Sequence, residues 1–332
     1  MPLPSPSTAP LGHWIQFSIT LCRMPVLFGL FAALSVATAQ VQVDNECRPL
    51  ITRPAYASGS GPRVGIDEAH HNYHTATGRY QPFADLLRRD GYQVNAFDAT
   101  LTAESLRQIE VLVISNPLNA RNVRDWSLPT PSAYTADEVA AVRDWVCNGG
   151  SLFLIADHMP FPGAAAEMAG AFGVEFSNGY ARDGRWTGGK PNTFKAGEGL
   201  ADCAITRGRN YDERVTQITT FGGSSFKPPP HATPILIFGP KSLSHETKKA
   251  LGILPGIPLG TPVVRIEGWC QGAVLPAGRG RVAIFGEAAM FSAQLAGPEK
   301  RPMGMNAPDA RENAQLLLNL MHWLSRADGM PD

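Results

Sequence analysis

From residue 63 onward the hydrophobic pattern alternates between two rhythms. Short unbroken apolar runs, Val111-Leu112-Val113-Ile114 and Ser151-Leu152-Phe153-Leu154-Ile155-Ala156, are bounded by turn residues and read as strands buried on both faces. Arg63 to Asp67, Tyr92 to Phe97, Pro234 to Phe238, Pro262 to Glu267 and Arg281 to Phe285 read as further strands. Between them lie helical spacings. Phe83 to Asp90 is a helix stopped by Gly91, Thr102 to Ile109 a second, and Ala164 to Phe172 another. Thr135-Ala136-Asp137-Glu138 is a capping box, opening a helix that puts Val139, Val142, Trp145 and Val146 on one face. A last helix over Asp309 to Arg326 presents Leu316, Leu317, Leu320, Trp323 and Leu324.

Strand–helix alternation with doubly buried strands predicts an α/β fold of flavodoxin-like, doubly wound type. Its sheet is expected to be mainly parallel, with helices on both faces. The expected domain covers 63–326, with a loop-rich irregular insertion at 177–233 and a linker or strap at 40–62.

The chain's start differs from the rest. Arg23 precedes the apolar run Val26 to Leu34, and Ala37-Thr38-Ala39 follows: a base, a short apolar stretch and A-x-A are the marks of a secretory signal peptide, here 1–39, with Met24 a second candidate start. The run is shorter than the roughly 20 residues of a membrane span. The mature chain is therefore expected to be periplasmic or extracellular and without a stable membrane span. Four cysteines remain after cleavage, Cys47, Cys147, Cys203 and Cys270, an even number that predicts two disulfides in an exported chain. Lys+Arg and Asp+Glu are 29 each, so charge gives no reason to expect a nucleic-acid partner.

In an open parallel sheet, ligands bind beyond the carboxyl ends of the strands. Those ends carry Asp67-Glu68-Ala69-His70-His71-Asn72-Tyr73-His74, Ser115-Asn116, Asp157-His158 and Gly286-Glu287. Three chemistries suit the set. Asp67 and His71, with Asp157 and His158, could ligate zinc, manganese or iron, although H-E-x-x-H is absent. Asp157, His158 and Glu287 could perform metal-free acid–base catalysis on a ligand held by Glu68, His70, Asn72, Ser115 and Asn116. Or the groups hydrogen-bond loop backbones and order the rim. Tyr180, Trp186 and Trp269 are candidate stacking partners for sugar rings. Gly222-Gly223-Ser224-Ser225-Phe226 lacks the last glycine of a nucleophile elbow, and there is no phosphate-binding P-loop.

The segments Val64 to Asn72, Val113 to Pro117, Asn148 to His158 and Ala283 to Phe291, with Asn313 and Trp323, resemble the class I glutamine amidotransferase-like superfamily. The resemblance is greatest to its non-amidotransferase branches, which include trehalose-utilisation-type and intraflagellar-transport-type domains and exported bacterial domains without an assigned activity. The superfamily's nucleophilic cysteine would stand after the strand ending at Ala156, where Asp157-His158-Met159-Pro160 is found, and its His-x-Glu is replaced by Gly286-Glu287-Ala288. The resemblance thus implies that glutamine hydrolysis is lost. It implies a pocket in the ancestral place for a small polar ligand, a carbohydrate among the candidates. A hydrolase or lyase and a non-catalytic binding or scaffold module are both compatible with that.

Overall fold

The computed structural model describes residues 41–185, 191–251 and 256–331. The expected signal peptide and Trp186 lie outside the described residues. Ten strands form the spine of the molecule: β1 (Arg63–Asp67), β2 (Gln93–Phe97), β3 (Val111–Ser115), β4 (Ser151–Ile155), β5 (Asn192–Ala196), β6 (Gly199–Leu200), β7 (Gln217–Thr220), β8 (Thr233–Ile237), β9 (Cys270–Ala277) and β10 (Gly280–Phe285). Among the described residues four helices longer than a turn accompany them: α1 (Gln81–Arg89), α2 (Ala136–Cys147), α3 (Phe161–Gly170) and α4 (Asn313–Ser325).

The spine runs in the order β7-β5-β6-β8-β9-β10-β4-β3-β1-β2, and Ser225–Lys227 and Glu175–Ser177 complete a twelve-stranded sheet. The expectation of a mainly parallel, flavodoxin-like sheet with helices on both faces is corrected here. Among the described residues, six of the sheet's eleven strand pairings are antiparallel. The parallel part is confined to β2-β1-β3-β4-β10, with β5-β6 as a short addition.

The source of the difference is β9. Its first six residues are buried, like those of a parallel strand, yet it lies antiparallel between β8 and β10. Burial on both faces erases the alternation by which an antiparallel strand is usually recognised. Gly272 within it lies against the Phe285 ring, where a Cβ would approach within 2.4 Å. Residues 177–233, read as an irregular insertion, supply β5, β6 and β7 to this sheet.

Other local expectations hold. Gly91 follows α1 with φ +100°, and the Thr135–Glu138 capping box opens α2. The second predicted helix shrinks to a 3-10 turn at Ser105–Gln108. Alternate residues of the central strands feed two cores. Val113, Phe153 and Phe285 join α1 and α4, while Ile114, Leu154 and Ile284 join α2 and α3.

The two expected disulfides do not form. Cys47, Cys147, Cys203 and Cys270 are all free thiols, Cys147 exposed and Cys203 and Cys270 buried. An even count permits pairing, but here the residues sit on separate elements: Cys147 ends α2, Cys203 caps the single helical turn Ala204–Arg207, and Cys270 begins β9. No helix among the described residues is long and apolar enough to cross a membrane.

Candidate functional site

The C-terminal ends of β1, β3, β4 and β10 bring the polar residues together as two hydrogen-bonded groups rather than one open cluster. The first is centred on Asp67, which is fully buried. Its carboxylate accepts bonds from His70 Nδ1 (2.9 Å), Asn72 Nδ2 (3.1 Å), the Tyr134 hydroxyl (3.2 Å) and the Ala69 amide (3.2 Å). His70 Nε2 meets Glu138 Oε1 at 3.0 Å. Both imidazole nitrogens therefore face carboxylates, which accept only, so the ring carries both protons. Burial opposes that charge, but the hydrogen bonds and charges of Asp67 and Glu138 outweigh it and hold the His70 pKa above its ordinary value.

Glu138 gained its place from the capping box. Its Oε2 accepts from the Thr135 amide (3.0 Å) and hydroxyl (2.9 Å) while Oε1 reaches His70. Burial raises its pKa, but bonds from Thr135 and His70 leave the net direction downward. Neither Glu138 nor Tyr134 was singled out from sequence for the site. The capping box marked Glu138 only as a helix start.

The second group lies between β4 and β10. Asp157 Oδ1 accepts from the His158 amide (2.7 Å) and Oδ2 from the Ala288 amide (3.3 Å). Glu287, 1% exposed, accepts from the amides of Ala289 (3.1 Å) and Met290 (2.7 Å). Burial and the neighbouring Asp157 carboxylate push its pKa well above the carboxylate range. Glu287 is thus a sealed acid fixing the turn after β10. Asn116 joins the strand ends. With φ at +51° it occupies the left-handed region that asparagine tolerates. Its Oδ1 accepts from the Asp157 amide (2.8 Å) and its carbonyl from the Tyr73 amide (2.9 Å). Ser115 Oγ lies 3.3 Å from Nδ1 of His74, which is buried. Burial, and secondarily the Arg79 charge, lower the His74 pKa to about 3, so that ring is neutral near pH 7.

Asp67 and His71 are not brought together. His71 is exposed, and both Asp67 oxygens are already engaged. Among the described residues no three His, Cys, Asp or Glu side chains are placed to hold a metal ion. The donor set does not fit zinc, manganese or iron. Glu68 clasps its own loop through the Ala76 amide (2.8 Å), and His231 is exposed just ahead of β8.

Above both groups runs a continuous aromatic strip. Tyr180 stacks on His158 (4.5 Å, 14°), His158 lies 6.4 Å from Trp126, Trp126 meets Tyr73 edge-on at 5.3 Å, and Tyr73 meets His74 at 5.5 Å. Buried Phe161 supports Tyr73, Trp126 and His158 from below. Tyr73, Trp126, His158 and Tyr180 are themselves only half-buried. His158 Nδ1 donates to the Met159 carbonyl at 2.8 Å, so in the neutral ring Nε2 carries the lone pair; Nε2 has no hydrogen bond among the described residues. Trp126 arrives on a loop whose neighbour Leu128 pairs with Lys248. Of the aromatic residues marked from sequence, Tyr180 is on the strip, while Trp269 packs against the core.

No family model matches the chain, and no curated protein matches it. Solved structures do. One described as the mmIFT52 N-terminal domain aligns over 80% of this chain and 98% of its own, with 13% identity and a TM-score of 0.56. A ThuA-like protein from Bacteroides uniformis ATCC 8492 aligns over 83% of this chain and 94% of its own, with 12% identity and a TM-score of 0.45. A GMP synthase component from Thermoplasma acidophilum aligns over 80% and 94%, with 10% identity and a TM-score of 0.40. At these identities the likeness is one of fold alone: the chain is built like the mmIFT52 N-terminal domain.

Proposed function

We propose that this chain is an exported module that binds a small polar ligand, a saccharide-like ring, on the aromatic strip, without turning it over. The observation that carries this reading is the contrast between the strip and the groups beneath it. Four partly exposed rings pack against one another in a single file near ionisable groups already engaged internally: His70 between two carboxylates, Asp157 against two backbone amides, Glu287 sealed. Aromatic faces suit the C–H surface of a sugar ring, and the rim's polar edges suit its hydroxyls. Export rests on the base, apolar run and A-x-A of residues 23–39.

Titration of the purified protein with neutral and charged sugars, followed by tryptophan fluorescence and amide NMR, tests the reading. Binding that falls at least about tenfold in Trp126→Ala, with the folding transition little changed, is the expected result. No saccharide binding at about 10 mM would sink it. A hydrolytic reading keeps one supporting observation, the partly exposed His158 ring whose Nε2 has no hydrogen bond among the described residues. It requires turnover that His158→Gln abolishes.

A further inference from the structure

Arg79, on the rim beside Tyr73, carries donors that the internal network leaves unanswered. It is half-buried, and its guanidinium carbon sits 4.0 Å from the centre of the Tyr73 ring. Its Nε is buried and has no hydrogen-bond partner. Among the described residues Arg79 forms no hydrogen bond and no ion pair. A guanidinium brings five N–H donors in a fixed fork, and a dry donor left unmade is costly. Stacking on Tyr73 accounts for the position of the group. It satisfies none of the donors.

The helix end beside it has the same sign. Arg79 immediately precedes Tyr80, the N-cap of nine-residue α1, which has no side-chain cap and no acid in its first turn. That end of the helix carries partial positive charge, although the Gln81 amide is bonded to the Gly78 carbonyl and Pro82 has no N–H. His74 beside it is neutral, so it supplies neither a competing cation nor a counter-ion. Tyr73 joins the guanidinium to the strip, since its ring also meets Trp126 at 5.3 Å. A ring stacked on Trp126 would bring an exocyclic group to Arg79.

Building on the binding role proposed above, we propose that Arg79 is an anion-recognition residue, and that the ligand of the strip bears a carboxylate or phosphate gripped by the guanidinium fork. Planar two-point recognition of such groups is what arginine does better than lysine.

Four probes on the full protein test this: glucose, glucuronate, glucose 6-phosphate and inorganic phosphate. Each is titrated into wild type and Arg79→Met, which keeps an apolar stem over Tyr73 and removes charge and donors. Ligand affinity and the Arg79 Nε–H resonance are both read. The expected result is binding of glucuronate or glucose 6-phosphate at least about tenfold tighter than glucose, a preference that Arg79→Met removes while glucose affinity stays level. Which of the two anions leads identifies carboxylate or phosphate as the recognised group. Equal binding of neutral and anionic sugars, or a preference that survives in Arg79→Met, overturns the inference. So does an Nε–H resonance that no anion moves. If no sugar binds while phosphate shifts the Arg79 resonance, the anion site stands and the saccharide reading falls.

Discussion

His70→Ala probes the network under the strip most directly. In wild type one buried imidazolium answers two buried carboxylates, at 2.9 Å and 3.0 Å. Removing it leaves Asp67 and Glu138 as uncompensated charges, a change that typically costs 3–5 kcal/mol. Asp67 keeps Asn72, Tyr134 and the Ala69 amide, and Glu138 keeps Thr135 and the Leu101 amide, so the lower end applies: about 3 kcal/mol. For a chain of this size that lowers Tm by roughly 6–9 °C. The sign of the pH dependence follows from the two directions. His70 has a raised pKa in the fold, so its stabilisation is complete below its unfolded value near 6.5 and is lost as pH rises through the folded value. Glu138 has a lowered pKa, so its stabilisation is complete above 4.5 and is lost as pH falls through the folded value. The gap between wild type and variant is therefore widest between about pH 4.5 and 6.5 and narrows as pH rises through the folded His70 value. Denaturant unfolding over a pH range from that window up through the folded His70 value measures it. A gap under about 1 kcal/mol, the scale of a surface ion pair, would refute the buried-triad account. A gap equally wide at both ends of the range would refute it too.

Other consequences follow from neighbouring residues. His74 is neutral in the fold and titrates near 3, so protonating the unfolded chain costs the wild type roughly 2 kcal/mol between pH 6.5 and 5; His74→Gln should flatten that slope in acid denaturation. Asn116→Gly leaves the buried Asp157 amide without its acceptor and should cost about 1–3 kcal/mol. Asn116→Ala adds the strain of a left-handed backbone and should cost about 1 kcal/mol more by the same denaturant assay. Because all four described cysteines are free, reductant should leave Tm unchanged, and a native thiol titration should find Cys147 the first to react.

The sequence was legible where local physics decides the outcome. The apolar runs at β3 and β4, the Gly91 stop and the Thr135–Glu138 cap each depend on neighbours a few residues away, and each is found in place. The convergence of Asp67, His70, Asn116, Asp157 and Glu287 on the strand ends was also legible, because strand direction dictates it. What those groups do to one another was not. His70 and His71 are adjacent in sequence, but only His70 turns between Asp67 and Glu138, while His71 takes a left-handed backbone and faces solvent. Trp126 and Tyr134 come from loops with no periodicity, placed by pairing with residues more than a hundred positions away in one case and by the Asp67 carboxylate in the other. β9 was hidden for a different reason: a glycine and a proline interrupt it, and its double burial imitates a parallel strand.

Asn116 has one more consequence. A single residue holds the Tyr73 loop through its carbonyl and the Asp157 turn through its side chain, so the two flanks of the strip are fixed relative to each other. Association is ordinarily weakened by the freedom that loops surrender on contact. Here most of that surrender has already occurred during folding. Whatever meets the strip meets two flanks whose relative geometry is already set.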